Sequence, residues 1–567
     1  MKSSIKFPLL NVNQDCEEVE INMGTSVQKE VIKGGWRSSI YIIGVEVAER
    51  FAYFGTSGNL ITYLTNVLGE STATAAKNVN VWAGVASLLP LLGAFIADSY
   101  LGRFNTILIS SSIYITGLVM LTLSVSVVPL RFQKVLFFLS LYLVAIGEGG
   151  HKPCVQTFGA DQFDEDKPEE KKAKSSFFNW WFFGICGGAS AGMLIVFYVQ
   201  DNVGWVIGFG IPSFAMGFAL VLFLFGRRLY RHQVRMGSPV VQFVQVFVAA
   251  CCKRHLCVSK DGYEVLCSEH GGVGMASKGR TRTDQFRFLD KATIIDEFDA
   301  LSDTRNNWRV CSVTQVEEVK LLLGLVPIWL SCLMFAVIQA QGATFFTTQG
   351  SSMDTRMGHN FHVPPASLQV TTGLVALFTV PIYDRILVPT SRHFTGLDSG
   401  ISMLQRIGIG MFVSISAMVV AGLVEARRIQ IATKYGIIDH PDITVPMSIW
   451  WLLPQYVIVG VSDVFTVVGL QELFYDQMPD GMRSLGSAAY LSVFGVGSLM
   501  SSVVISVVQF LSLRAGDEWL GNNLNRAHLD YYYWLLAGLS GLWLCLYIVV
   551  SKRFLYKKIN SDIPLIT

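Results

Sequence analysis

The sequence predicts an all-α membrane protein with twelve transmembrane helices. Three observations carry that expectation. The 567 residues are 51% hydrophobic and only 15% charged, with a mean hydropathy of +0.44, where soluble proteins average about 25% charged. Apolar segments long enough to cross a bilayer recur along the whole chain. Ionisable residues inside such segments are confined to three of them. This composition excludes a disordered chain and argues against a large soluble enzyme. A net charge of +2 is too balanced for a nucleic-acid partner. The ten Cys are scattered and form no disulfide framework; Cys154, Cys186, Cys332 and Cys545 lie in apolar stretches, where a thiol acts as a small hydrophobe.

A crossing helix needs about 20 mostly apolar residues. In chain order the twelve segments are 38–68, 78–97, 104–130, 135–154, 175–200, 202–226, 321–353, 363–383, 407–424, 448–474, 484–513 and 531–550. The first, fourth and tenth are apolar apart from embedded charges. The first 37 residues mix Asp, Glu, Lys and Asn and hold no long apolar core, so no cleavable signal peptide is expected. They read as a cytosolic tail. The basic stretches after span four (Lys167, Lys171, Lys172, Lys174), after span six (Arg227, Arg228, Arg231, Arg235) and at the C-terminus (Lys552, Arg553, Lys557, Lys558) place both termini in the cytosol. Arg427, Arg428 and Lys434, read as the loop after span nine, run against that rule.

The expected organisation is a tail at 1–37, six helices at 38–226, a cytosolic linker at 227–320, six helices at 321–556 and a tail at 557–567. Within the linker, PVVQFVQVFVAACC (Pro239 to Cys252) follows a basic run and reads as a helix lying on the membrane face. The neighbouring Cys251, Cys252, His255, Cys257, Cys267 and His270 match no standard zinc spacing, and no metal is expected.

Charges inside a bilayer cost at least about 2.5–3.5 kcal/mol at a helix centre, so the three charged spans are the candidate site. Span one carries Glu46, Glu49 and Arg50, which share one helical face. Two acids around one guanidinium leave a charge imbalance that suits proton carriage. The competing reading is an ion-pair knot that fixes helix packing. Span four ends in Glu148, His151 and Lys152, and Lys152 is placed to meet an anionic group. The alternative is a lysine that reaches to the interface. Span ten holds Asp463 and Glu472 on roughly opposed faces.

Several motifs together resemble the proton-dependent oligopeptide transporter family of the major facilitator superfamily, and its plant nitrate/peptide branch. They are EVAERFAYFG (46–55), GAFIADSYLGRF (93–104), FGADQFDE (158–165), FFNWWFF (177–183), FRFLDKATI (286–294), YDR (383–385) and LQELFYDQMP (470–479). The resemblance implies two six-helix bundles around a central cavity and proton-coupled symport by alternating access. The substrate class is nitrate, small peptides or a related small metabolite. The alternative is a non-coupled facilitator or transceptor of the same fold. The resemblance places Glu46, Glu49 and Arg50 in proton coupling, and Lys152 and Glu472 at the substrate. Gln339 occupies the span-seven position where a nitrate-transporting relative has histidine; its amide donates a hydrogen bond but adds no positive charge. Asp98 and Arg103 are expected to form a latch at the cytosolic mouth. The coupling ion is the proton, no cofactor is expected, and the partners are the solute and the lipid bilayer. The address is the plasma membrane or the vacuolar membrane. Nothing in the sequence speaks to oligomeric state.

Overall fold

In hydrocarbon every backbone N–H must be paired within its own segment, and the apolar segments accordingly fold as helices. The structure, a computed structural model, describes residues 34–164, 167–231, 239–255, 283, 285–294, 306, 308–358, 361–395, 401–441, 443–477 and 483–554. The helices of the first half are α1 (Trp36–Ser57), α2 (Leu60–Asn66), α3 (Thr72–Ile96), α4 (Arg103–Ser126), α5 (Leu130–Ala160), α6 (Pro168–Asn202) and α7 (Trp205–Phe225). The linker carries α8 (Pro239–Cys252). The second half holds α9 (Val313–Ser331), α10 (Leu333–Gln339), α11 (Phe345–Ser351), α12 (Val370–Ile382), α13 (Val388–Thr395), α14 (Met403–Lys434), α15 (Leu453–Gln477), α16 (Arg483–Ala515) and α17 (Leu529–Arg553).

Among the described residues ten helices are long and apolar enough to cross a membrane, and the pair α9–α10, bent by 46°, makes an eleventh candidate. The remaining long candidate is α1, 22 residues, which carries Glu46, Glu49 and Arg50 and is not among them. In the first half α1 packs on α6 and α7, and α4 on α5 and α7. In the second, α14 packs on α15 and α17, and α12 on α15. The halves meet where α3 packs on α16. Among the described residues the hydrogen bonds between the halves gather at the end where α1 finishes. Lys77 donates to Gln509 (3.1 Å), Asn80 to Ser501 (3.1 Å), and the Gln369 amide to the Gly58 carbonyl (2.9 Å). The Thr72 N–H donates to Asn522 (3.2 Å), and Tyr198 stacks on Phe361. Near this end lie two short strand pairs: β1 (Met353–Asp354) runs parallel to β4 (Val445–Ser448), and β2 (Arg356–Met357) antiparallel to β3 (Phe361–His362).

Two expectations need correction. The apolar run 321–353 is not one helix. It starts earlier, at Val313, under a capping box of Ser312 and Gln315, and breaks after Ser331 and again after Gln339. Polar side chains take up carbonyls around the second break: Gln341 donates to Val337 (2.7 Å) and Thr344 to Ala340 (2.7 Å), which is how a broken span stays satisfied in an apolar medium. The second correction concerns Arg427, Arg428 and Lys434, which are not in a loop, because α14 continues to Lys434. Arg428 is 0% exposed and fully engaged: it donates to both Glu425 oxygens (2.9 and 2.6 Å), to Asn525 (2.6 Å) and to the Leu524 carbonyl (2.7 Å). A buried, paired guanidinium is not a free loop charge, so Arg428 drops out of the exception to the positive-inside pattern.

The apolar run Pro239–Cys252 is helical as expected, and its Val246, Ala249 and Ala250 pack on Leu289, Ala292, Val316 and Val319. A buried Lys320 ties this layer to α9 through Asp290 (2.7 Å), Glu317 (2.8 Å) and the Thr283 carbonyl (2.9 Å). Cys257, Cys267 and His270 lie outside the described residues.

The entry into α1 is fixed by a clasp. Gly34 and Gly35 have φ of +90° and +66°, the left-handed region, which suits residues without a Cβ. Their N–H groups donate to Leu229 (2.8 Å) and Gln162 (2.7 Å), and Gln162 exchanges two hydrogen bonds with the Arg231 backbone. Arg231 pairs with Glu170 at 2.9 Å, and the Asp164 N–H donates to the same carboxylate (2.8 Å). Glu170 precedes the apolar part of α6, Trp180–Asn202. The Arg231 side chain, then the Asp164 N–H, hold its carboxyl at about 2, down from 4.5. A depressed carboxyl contributes stability that is complete above its unfolded value and is lost as pH falls through the folded one. Glu170→Gln is therefore expected to lower the thermal unfolding temperature at pH 7, with the gap to wild type closing only as the pH falls from about 4.5 towards 2.

Candidate functional site

On α1, Glu46 and Arg50 are one turn apart and Glu49 precedes Arg50, so the guanidinium lies between two carboxylates. It approaches Glu46 at 3.0 Å and Glu49 at 2.6 Å. The N–H groups are not aimed along the carboxylate lone pairs, so these are charge contacts more than aligned hydrogen bonds. The cluster is deep: Glu46 is 4% exposed, Glu49 0% and Arg50 5%. Two glycines on α6 let the backbones close around it. A Cβ on Gly188 would meet the Val47 carbonyl at 2.4 Å, and one on Gly192 the Phe51 carbonyl at 2.4 Å.

The α5 residues join this cluster. Lys152 donates to Glu148 at 3.1 Å, one turn earlier on the same helix. The lysine ammonium stands 5.2 Å from the centre of the Tyr53 ring, and the Arg50 guanidinium 5.8 Å from the same ring. Tyr53 thus lies against both cations, an arrangement favoured by the quadrupole of the ring. Lys152 also acts electrostatically on Glu46. The assembled set holds three carboxylates, Glu46, Glu49 and Glu148, against two cations, Arg50 and Lys152. Of the five, Lys152 is the most open, with 22% of its side chain exposed.

The second half supplies a separate group. Gln339, at the end of α10, donates its amide to Asp463 on α15. The Gln339 amide is therefore already engaged. Glu472 is 41% exposed and pairs with Arg406 of α14 at 3.3 Å. Arg406 also lies 4.1 Å from the Tyr383 ring centre and donates to the Val464 carbonyl (3.0 Å). The expected substrate residues thus fall into two groups, Lys152 with the α1 cluster and Gln339 with Glu472 in the other half.

Of the expected latch, Arg103 pairs with Asp161 of the FGADQFDE motif, so this motif meets the basic residue of the preceding loop. The Asp98 side chain lies outside the described residues. Tyr53, Glu148, His151, Arg406 and Asp463 of these clusters have no role assigned from sequence. Glu148 and His151 were visible as charges in span four, but two glycines obscured their direction. Arg406 stands one residue before the apolar run that begins at Ile407, so it read as a flanking charge.

Residues 104–520 match the family described as "PTR2: POT family". The chain is 52% identical to Protein NRT1/PTR FAMILY 5.4 of Arabidopsis thaliana over 543 residues, covering 95% of this chain and 98% of that protein. It is 51% identical to Protein NRT1/PTR FAMILY 5.10 of the same plant over 545 residues, covering 93% and 94%. Among solved structures, an auto-inhibited POT family peptide transporter superimposes with a TM-score of 0.69 at 20% identity, covering 93% of this chain and 99% of that one. The POT family transporter PepTSo superimposes with a TM-score of 0.69 at 22% identity, covering 91% and 98%. These likenesses establish the two-bundle major facilitator fold. With motifs, fold and relatives in agreement over most of its length, this chain belongs to the POT family, in its NRT1/PTR group, and is a multi-pass membrane transporter and not an enzyme.

Proposed function

We propose that the protein is a proton-coupled symporter that moves nitrate, a small peptide or a related small metabolite across a plant membrane by alternating access. The observation that carries this reading is the charge census of the buried cluster. Three carboxylates face two cations, and all of the five but Lys152 are buried. Keeping every group ionised would leave an uncompensated negative charge in a medium where one charge costs several kcal/mol. A proton bound among Glu46, Glu49 and Glu148 neutralises it, and its departure must be matched by a rearrangement of the Arg50 contacts. That is a two-state element which a proton and a solute can both bias.

The closure of the halves at one end supports alternating access, since their hydrogen bonds gather where α1 finishes. We take α1 as the twelfth span, residues 38–226 and 321–556 as the two bundles, 227–320 as a cytosolic linker, and the termini as cytosolic. The plasma membrane and the vacuolar membrane both fit. Lys152 and Glu472 are the substrate-facing charges, being the most open of their groups. Gln339 acts in this reading as the partner of Asp463, which leaves the anion to Lys152. Solved POT family relatives bound alafosfalin and 5-aminolevulinic acid, and both carry amino and acidic groups, as a peptide does.

The test is uptake into proteoliposomes of nitrate, dialanine and 5-aminolevulinic acid, with and without an inward proton gradient. Glu49→Gln is expected to abolish gradient-driven accumulation while exchange of solute for solute persists. Accumulation by Glu49→Gln at the wild-type rate would remove the α1 cluster from coupling. An absence of proton current in the wild type would mark a facilitator.

A further inference from the structure

Behind the α1 cluster, on the side of α4 and α5, the described structure leaves a group of buried polar atoms without hydrogen-bond partners. They are one oxygen of Glu49, one oxygen of Glu148, both ring nitrogens of His151 and the Tyr114 hydroxyl, the other Glu49 oxygen lying 2.6 Å from the Arg50 guanidinium. Glu49, Glu148, His151 and Tyr114 are each 0% exposed. These groups are near one another. His151 interacts electrostatically with Glu49 and Arg50, and Tyr114 with Glu49, Glu148 and Arg50. The backbone brings them together: a Cβ on Gly147 of α5 would meet the Tyr114 backbone at 2.6 Å, so α5 lies tight on α4 one turn before His151.

Five bare polar atoms on three helices cannot be an accident of surface geometry. A buried polar group without a partner is costly, and native proteins satisfy such groups with internal water that makes two to four hydrogen bonds. The alternative of mutual pairing is not taken up: the carboxylate oxygens accept nothing from His151 or Tyr114. The two cations of the region are already committed, Arg50 to Glu46 and Glu49, and Lys152 to Glu148.

We propose that Glu49, Glu148, His151 and Tyr114 enclose a bound-water site behind the α1 cluster, and that His151 carries the proton between Glu49 and that water. Lys152 meets the site at Glu148, holding the one carboxylate oxygen that does not face it at 3.1 Å. The step balances. A protonated Glu49 gives its proton to one ring nitrogen, and the other ring nitrogen gives a proton to water. Glu49 becomes a carboxylate, the ring returns neutral, and the charge leaves as hydronium beside Glu148. The ionisable groups that act on the ring are Glu49 and Arg50 of α1; next to these stand Glu46 and Tyr53 of α1 and Glu148 and Lys152 of α5. Tyr490 of α16 interacts with Arg50 from the other half. The relay rests on the proton-coupled reading above; the water site does not.

X-ray radiolytic labelling of the full-length protein in nanodiscs, read by mass spectrometry, tests this with water itself as the probe. Radicals form from trapped water, so a residue beside it is oxidised although bulk solvent does not reach it. Tyr114 and His151 are expected to label several-fold faster than Phe137 and Phe209, which are equally buried in the same bundle but surrounded by aromatic rings. His151→Phe is expected to lower labelling of Tyr114 several-fold, and His151→Gln, with one donor and one acceptor, to restore it. Wild-type labelling of Tyr114 at the level of Phe137 overturns the water site whether or not the variants fold. In the uptake assay, His151→Phe is expected to lose gradient-driven accumulation and keep solute exchange; accumulation at the wild-type rate overturns the relay. Intact labelling with unimpaired Glu49→Gln uptake would instead sink the coupling reading alone.

Discussion

Arg50→Met is expected to abolish transport and to destabilise the protein by about 3–5 kcal/mol, the usual cost of stripping one partner from a buried ion pair. The guanidinium is the only described cation in ion-pair contact with Glu46 and Glu49, at 3.0 and 2.6 Å, and all three side chains are buried. With Met in its place both carboxylates must take up protons or draw in water. Thermal unfolding in detergent measures the stability loss, and proteoliposome uptake measures transport. The triple variant Glu46→Gln, Glu49→Gln, Arg50→Met separates the two roles. It removes all three charges together, so stability is expected to return while transport stays lost. If transport also returned, the cluster would be a packing device, the competing reading of these three residues. A variant as stable as wild type with Arg50→Met alone would show that the pairs contribute nothing.

Arg428→Ala is expected to be as damaging to stability, about 3–5 kcal/mol, for a different reason. Arg428 is wholly buried and donates to Glu425, Asn525 and the Leu524 carbonyl. Removing it leaves the buried Glu425 carboxylate uncompensated and frees the connection between α16 and α17 from the end of α14. The double variant Glu425→Leu, Arg428→Met is expected to recover most of the loss, because replacing a whole buried pair by apolar side chains is often close to neutral. Thermal unfolding of the three proteins decides it. An Arg428→Ala protein that melts with wild type would mean that the network bears no load. Retained solute exchange in the double variant would confirm that this pair holds the fold and takes no part in transport.

The helical segments were legible because a bilayer demands length and apolarity at once, and both are local properties of a sequence. The limits of the linker helix are legible, since PVVQFVQVFVAACC holds no charged residue and lies between Ser238 and Lys253. Local reading failed where polar residues belonged to a helix. Charges mark helix ends in hydrocarbon, which sets Arg406 and Arg428 outside span nine, yet α14 includes both. Their partners, Glu472 and Glu425 with Asn525, make them tolerable there. Span seven failed in the opposite sense. Its apolar run gave no sign of a break, because the side chains that stabilise the break, Gln341 and Thr344, are ordinary polar residues until their carbonyl acceptors are seen.

The site divides in the same way. Helical spacing alone put Glu46, Glu49 and Arg50 on one face and predicted their contact. It could not reveal that Gln339 is held by Asp463 or that Arg103 reaches Asp161. Residues one turn apart are neighbours in any α-helix, so a sequence determines such pairs by itself, and with them the class of protein in which charges this deep make sense. Contacts between helices depend on how the helices are rotated and how closely they pack. Only the folded chain decides those, through features such as Gly188 and Gly192 letting α6 reach the backbone of α1.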